Sequence, residues 1–174
     1  MNLREQLSDA LCGNLVVIGI GNACRGDDAA GSWVAQQIRN APGLHVIDAQ
    51  DVPEDFLCAA AEQHPDTVVL IDCVDLNSAP GSVALLDGDQ TAAHWPNTHR
   101  VPLTLLVEYL KRTTRARILL IAIQPHQTGF LQPMNSKVLA SAESLANMLN
   151  DVLEKRRQSA GADCGRPPRE EVFA

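Results

Sequence analysis

Two adjacent carboxylates, Asp27 and Asp28, follow a glycine-containing turn and could bind a cation or handle a proton. The apolar run Leu15–Ile20 precedes them, so the pair falls where a predicted strand leads through the turn into a helix. Nucleotide-binding proteins hold phosphate at such a helix N-terminus. Two carboxylates here repel an anion and attract a cation, so the turn predicts a metal site or a proton-transfer site.

Two further residues with ligand chemistry, Asp72 and His99, lie where the predicted sheet would bring them near this pair. Asp72 ends the apolar run that begins at Thr67, and His99 precedes a helix predicted to start at Pro102. Ligand sites in open α/β sheets lie beyond the carboxyl ends of the strands. Asp28, Asp72 and His99 could therefore converge on one divalent cation, and their oxygen and nitrogen ligands suit zinc or nickel.

Each candidate also has an ordinary structural explanation. Asp27 or Asp28 could cap the helix, an interaction that contributes roughly 1 kcal/mol. Asp72 could accept hydrogen bonds from the backbone amides of a neighbouring loop, and a loop histidine such as His99 is commonly a surface residue. His126 lies in the loop after the last predicted strand, near the same edge of the sheet.

Two other chemistries fit the turn less well. A dinucleotide-binding fingerprint would need glycine or alanine at Cys24, and the acidic pair opposes a pyrophosphate. Cys24 and Cys73 flank the proposed cluster, but a thiolate nucleophile needs a positive neighbourhood and these acids supply the opposite. We therefore interpret both cysteines as structural or incidental.

The apolar patterns predict an α/β fold, a three-layer sandwich in which helices cover a mostly parallel, twisted, five-stranded sheet. A short Pro-Gly turn before the fourth strand predicts that this strand runs antiparallel to its predecessor. We expect residues 1–154 to form one domain and residues 155–174 to form a flexible polar tail. The predicted strands are 15–20, 44–48, 67–72, 82–86 and 117–123, and the predicted helices are 28–40, one starting at Pro53, one starting at Pro102, and 138–153.

The composition of the 174 residues excludes several classes of partner. A formal net charge of -7 argues against nucleic acid and against anionic membranes. No apolar run approaches the roughly 20 residues that a membrane helix needs. The five cysteines are scattered without a Cys-x-x-Cys motif, which is typical of a reducing compartment. These features predict a soluble, cytoplasmic protein, which we expect to be a monomer.

Several motifs from Leu15 to Leu153 resemble those of the hydrogenase maturation endopeptidases, of the type that processes the large subunit of hydrogenase 3 in the formate hydrogenlyase system. The most specific are Gly-Ile-Gly-Asn-Ala-Cys-Arg-Gly-Asp-Asp-Ala-Ala-Gly and Ala-Ile-Gln-Pro-His-Gln-Thr-Gly-Phe-Leu-Gln-Pro-Met. Between them lie Val-Leu-Ile-Asp-Cys-Val-Asp, Ala-Pro-Gly-Ser-Val and Thr-His-Arg-Val-Pro-Leu. Relatives of this type often have glycine where this chain has Ala29, and Asp-Gly-Gly where it reads Asp48, Ala49 and Gln50.

The resemblance implies a specific activity. Such enzymes remove a short C-terminal extension from the large-subunit precursor of a nickel–iron hydrogenase after nickel insertion. Similarity places the catalytic and metal-contacting residues at Asp28, Asp72 and His99, with nickel supplied by the substrate and zinc as a possible replacement. It also places the loop Gln124–Phe130 beside the cleft.

Three functional hypotheses follow from these features. The first is endoproteolysis, in which a metal polarises the carbonyl or activates a water, or in which Asp27, Asp28 or Asp72 acts as the general base. The second is a checkpoint or chaperone that binds the nickel-loaded precursor without cutting it. The third is a nucleotide-binding regulator.

Overall fold

The computed structural model describes residues 2–88 and 102–158. Five strands form one sheet: β1 Leu15–Ile20, β2 Leu44–Gln50, β3 Thr67–Cys73, β4 Val83–Asp87 and β5 Arg117–Ile123. Five α-helices accompany it: α1 Leu3–Ala10, α2 Ala30–Gln37, α3 Leu57–Glu62, α4 Leu103–Thr113 and α5 Ser136–Gln158. Short 3-10 helices, Gly26–Ala29 and Pro53–Phe56, precede α2 and α3. We call Gly26–Ala29 the acidic turn.

The strand order in the sheet is β2-β1-β3-β5-β4. Neighbouring pairs among β2, β1, β3 and β5 are parallel, and β4 is antiparallel to β5. The predicted fold class, an α/β sandwich with a mostly parallel five-stranded sheet, is confirmed. Four strands therefore end at the same edge of the sheet, which we call the carboxyl edge.

Alternate residues of the strands face two helical layers. In β1, Val17 belongs to the core shared with α1, α2 and α5, whereas Ile18 belongs to the core shared with α3 and α4. β1 and β3 are buried along their whole length. Burial on both faces explains why these strands read as continuous apolar runs rather than as alternating patterns.

β4 runs antiparallel to β3, as the sequence predicted, but its partner in the sheet is β5. Residues 74–82 carry the chain across the carboxyl end of β5 before β4 begins. The Val74 N–H donates to the Ile123 carbonyl, and the Gly81 N–H donates to the Gln124 carbonyl. Because this segment is long enough to step over one strand, β4 pairs with β5 instead.

The predicted helix from Asp28 to Asn40 is shorter and begins differently. The chain first forms the acidic turn, and α2 then ends at Gln37. Neither the turn nor α2 has a side-chain cap. The alternative that Asp27 or Asp28 is an N-cap is therefore wrong, because both residues lie inside the turn.

The two ends of the described chain are more ordered than the sequence suggested. The helix α1 was not predicted, and a capping box formed by Asn2 and Glu5 begins it. The helix α5 spans Ser136–Gln158, so it continues past the predicted helix end at residue 153. The Arg156 guanidinium donates to the Gly13 carbonyl, which ties this last turn to the body. Residues 159–174 lie outside the described chain.

Among the described cysteines, Cys24, Cys58 and Cys73 carry free thiols. Cys12 is disulfide-bonded, a pairing that the scattered spacing did not predict. Within residues 2–88 and 102–158, no helix has both the length and the apolar character needed to span a membrane.

Gln50 occupies a position where the resembling proteins often have glycine, and its backbone is left-handed, with φ of 50°. A side chain in this region costs roughly 1–2 kcal/mol, so Gln50 holds local strain. The register between β1 and β2 shifts here, and the Gly21 N–H donates to the Gln50 carbonyl at 2.7 Å. The bulge thus keeps β2 attached to the start of the turn that leads to the acidic pair.

Candidate functional site

A cleft of about 640 Å³ opens at the carboxyl edge of the sheet. β2 follows β1 in the chain and pairs with one side of it, whereas the next strand, β3, pairs with the other side. The strand order therefore reverses between β1 and β3. Open α/β sheets bind ligands at such a reversal. The residues lining the cleft are Asn22, Arg25, Asp28, Asp51, Cys73, Asp75, Gln124, Pro125, His126 and Thr128.

Asp28 contributes a carboxylate to the wall of this cleft, although only 7% of the residue is exposed. Its Oδ2 accepts the Asn22 N–H at 3.1 Å, which ties the side chain back to the turn after β1. Among the described residues, the Asp28 carboxylate accepts only this hydrogen bond, so its other oxygen, Oδ1, is available to the cleft. The predicted site residue Asp28 therefore lies where a bound cation could reach it.

Asp72 lies near the end of β3 and is fully buried, and it is not among the described residues that line the cleft. The preceding residue, Ile71, pairs with Gly19 of β1, so Asp72 lies beside the end of the neighbouring strand. Burial raises the pKa of the Cys73 thiol, and the charges of Asp72, Asp27 and Asp28 raise it further, in that order. The three carboxylates therefore lie within electrostatic reach of one sulfur atom, as the shared edge predicts.

The third predicted site residue, His99, lies outside the described residues. Within residues 2–88 and 102–158, no group of three His, Cys, Asp or Glu side chains is arranged to hold a metal ion. The structure thus brings Asp28 and Asp72 to one edge of the sheet. That His99 completes a cluster with them stays a prediction.

The Cys73 thiol is unsuited to nucleophilic chemistry. It is 2% exposed, and its S–H donates to the Asp27 carbonyl at 2.9 Å. Because burial and three carboxylates raise its pKa, the thiol stays protonated at neutral pH. The sequence-based interpretation of Cys73 as a structural cysteine agrees with this environment.

We expect iodoacetamide at pH 8 to alkylate the exposed Cys24 at least about 100 times faster than Cys73, because the thiolate is the reactive form. The measurement is peptide mass mapping of carbamidomethylation against time. Unfolding the protein in guanidinium is the control, and it should make the two rates similar. Comparable rates in the folded protein would show that Cys73 is an accessible thiolate.

The loop between β5 and α5 forms one side of the cleft, as the resemblance implied for Gln124–Phe130. Gln124, His126 and Thr128 line the cleft, so the expectation that His126 lies near the same edge is confirmed. At the tip of the loop, Phe130 is 67% exposed and Leu131 is 73% exposed. Adjacent apolar side chains left in solvent beside a cleft are typical of a surface that contacts another macromolecule.

Gln124 is a site residue that sequence reasoning did not single out individually. Its Oε1 accepts the N–H groups of Leu76 and Ser78, and its Nε2 donates to the Asp75 carboxylate at 3.2 Å. The hydrogen bond from the Asn77 N–H lowers the pKa of Asp75 most, and the hydrogen bond from Gln124 lowers it further. Gln124 thereby fixes the segment after β3 against the end of β5 and keeps Asp75 ionised.

The charge of the cleft favours a cation over a phosphate. Asp28, Asp51 and Asp75 line it against the single guanidinium of Arg25 among its described lining residues. Close packing of the backbone explains the glycine at position 21 without a bound phosphate, because a Cβ at Gly21 would lie 1.9 Å from the Asp28 carbonyl oxygen. A nucleotide-binding function is therefore unsupported by either the charge or the close packing of this turn.

Comparison with known proteins identifies the family to which this chain belongs. The family model of the hydrogenase maturation proteases of the HycI type matches residues 32–152. A putative hydrogenase maturation protease of Methanocaldococcus jannaschii is 32% identical over 165 residues, which cover 88% of this chain and 97% of that protein. The chain belongs to the hydrogenase maturation protease family. The matched segment contains Asp72 and His99, whereas Asp28 precedes it.

Two further members of the hydrogenase maturation protease family support the assignment of this chain to that family. The hydrogenase 3 maturation protease of Escherichia coli K12 is 31% identical over 137 residues, covering 77% of this chain and 87% of that protein. The crystal structure of a NiFe hydrogenase maturation protease, HycI, from Thermococcus kodakarensis superposes with a TM-score of 0.79 at 30% identity. That match covers 86% of this chain and 99% of the other. The chain is thus a peptidase of this family with the family's fold.

Proposed function

We propose that this peptidase removes the C-terminal extension from the large-subunit precursor of a nickel–iron hydrogenase after nickel has been inserted. The observation that carries the proposal is the placement of Asp28 and Asp72 at one edge of the sheet, with Asp28 in the wall of an acidic cleft and Asp72 buried near the end of the adjacent strand β3. Membership of the hydrogenase maturation protease family supplies the reaction class.

In this proposal the metal belongs to the substrate. Nickel exposed in the immature subunit would enter the cleft and meet the Oδ1 atom of Asp28, with Asp72 and His99 as further ligands. Carboxylate oxygen and imidazole nitrogen suit nickel, and zinc could take its place. Holding the metal would fix the attached precursor so that its scissile bond lies beside the acidic turn.

Two routes to peptide hydrolysis are compatible with this arrangement. The substrate's metal could polarise the scissile carbonyl or lower the pKa of a water. Alternatively, the Asp28 or Asp72 carboxylate could accept the proton of the attacking water. Cys73 is disfavoured as the nucleophile in either case, because its thiol is buried and protonated.

A folded protein substrate also fits the surface around the cleft. Phe130 and Leu131 project into solvent from the loop that carries the cleft residues His126 and Thr128. We propose that the precursor covers this apolar tip while its metal centre occupies the cleft. The peptidase would then act as a monomer on one precursor molecule.

The test is to mix the purified protein with a nickel-loaded precursor and to follow the mass of the precursor. We expect loss of the C-terminal extension as a single product. If the precursor forms a lasting nickel-dependent complex but stays intact, the protein is a checkpoint or chaperone instead. Thermal stabilisation by a nucleotide, with no effect of the precursor, would indicate a nucleotide-binding regulator.

A further inference from the structure

Asp27, the neighbour of Asp28, is a fully buried carboxylate whose oxygens are both occupied. Its Oδ2 accepts the N–H groups of His126 at 2.7 Å and Gln127 at 2.9 Å. Its Oδ1 accepts the N–H of Asn135 at 2.5 Å. A carboxylate that accepts three amides in this way makes strong, charge-assisted hydrogen bonds and has little capacity left for a ligand.

The main chain of Asp27 is held as firmly as its side chain. Its N–H donates to the Gln127 carbonyl at 3.0 Å, so the residue and the loop exchange hydrogen bonds in both directions. Its carbonyl accepts the S–H of Cys73 at 2.9 Å, which attaches the acidic turn to β3. Asp27 therefore connects the sheet on one side with the β5–α5 loop on the other.

The loop segment from His126 to Asn135 has a further attachment to the same part of the chain. The Leu131 N–H donates to the Cys24 carbonyl at 2.7 Å, just before the acidic turn. The two ends of the loop thus bind the Asp27 carboxylate, and its tip binds the backbone that precedes the turn. Fixed at three points, the loop keeps His126 in the cleft wall.

We propose that Asp27 is a positioning residue, which holds the His126–Asn135 loop as a wall of the precursor-binding cleft and neither binds the metal nor transfers a proton. This inference rests on the proposed function. The two adjacent acids differ in their surroundings, because Asp28 lines the cleft and one of its carboxylate oxygens remains available there. Asp27 has both oxygens directed at backbone amides instead.

The decisive variant is Asp27→Asn, which preserves shape but replaces one acceptor oxygen with a donor NH2 group. That group would face backbone N–H donors, so at least one of the three amide bonds is lost. We expect the amides of His126, Gln127 and Asn135 to exchange with deuterium at least about tenfold faster. With a nickel-loaded precursor, we expect KM to rise about tenfold or more while kcat stays within about threefold, since precursor binding needs an ordered wall.

Asp66→Asn is the matched control at the opposite edge of the sheet, where the Asp66 carboxylate accepts the Asn14 N–H at 2.9 Å. It should leave the loop amides and KM unchanged. A purely structural role for Asp27 would reduce the folded fraction, lowering apparent kcat at constant KM. That result would overturn the proposal, as would a loss of kcat with unchanged exchange of the loop amides.

A second variant covers the case in which Asp27→Asn does not fold. Gly26 has φ of 57°, and a Cβ there would lie 3.0 Å from the Gln127 carbonyl oxygen. Gly26→Ala should therefore push against the same loop and raise KM in the same direction by a smaller factor. Unchanged loop exchange and KM in this variant would overturn the proposal. Failure of the wild type to cut the precursor would refute only the proposed function, because hydrogen exchange tests the positioning of the loop independently.

Discussion

Replacing Asp28 with asparagine is expected to lower the rate of precursor processing by at least about 1,000-fold, because a neutral amide is a poor metal ligand and a poor base. The fold should survive. Within the described part of the chain Asp28 accepts one hydrogen bond, from the Asn22 N–H, and the asparagine carbonyl can accept the same bond. The measurement is the initial rate of the truncated product by intact mass, with the free energy of unfolding measured in parallel.

Asp51→Asn is the charge-matched comparison for this experiment. Asp51 lines the same cleft, but it is exposed and its Oδ2 accepts the Asn22 side-chain amide at 2.9 Å. We expect this variant to slow processing by less than about tenfold, in line with a screened surface charge. Equal losses in Asp28→Asn and Asp51→Asn would show that the overall charge of the cleft matters rather than the Asp28 carboxylate.

The second large effect concerns Gly31, where α2 touches the sheet beside the site. A Cβ at Gly31 would lie 2.2 Å from the Ile71 carbonyl oxygen and 2.3 Å from that of Ile20. Gly31→Ala must push α2 away from β1 and β3, and we expect it to cost about 3 kcal/mol or more of unfolding free energy. Urea titration measures this change. Because α2 follows the acidic turn directly, precursor processing should be lost as well.

Gly43→Ala provides the matched glycine control. Gly43 has φ of 69°, and the nearest atom to an added Cβ would be the Asn14 Oδ1 at 3.8 Å. Only backbone strain opposes this substitution, so the expected cost is about 1 kcal/mol. If Gly31→Ala were no more destabilising than Gly43→Ala, the close contact between α2 and the two strands would not be important for stability.

The sequence was most informative where one local signal determines the structure. The runs at Leu15–Ile20 and Arg117–Ile123 are strands with the predicted bounds, because burial on both faces makes them continuously apolar. The placement of Asp28 and Asp72 at one edge then follows from parallel pairing of β1 and β3. Residue order along the chain was sufficient for that step.

The sequence was least informative where the structure depends on contacts between segments that are far apart in the chain. The pairing of β4 with β5 depends on how residues 74–82 cross the strand end, and no periodicity records such a path. The role of Asp27 depends on amides about 100 residues later in the chain, so spacing could not distinguish it from a cap or a base. By contrast, the capping box of Asn2 and Glu5 was a readable signal for α1.

Whether the substrate's nickel directs cleavage is tested most directly by comparing nickel-loaded and nickel-free precursor in one mass-resolved time course with the wild-type protein. We expect the nickel-loaded precursor to lose its C-terminal extension at least about 100 times faster, because in the proposed function the metal would hold the scissile bond at the acidic turn. Equal cleavage of the two precursors would contradict a metal-guided site built on Asp28 and Asp72.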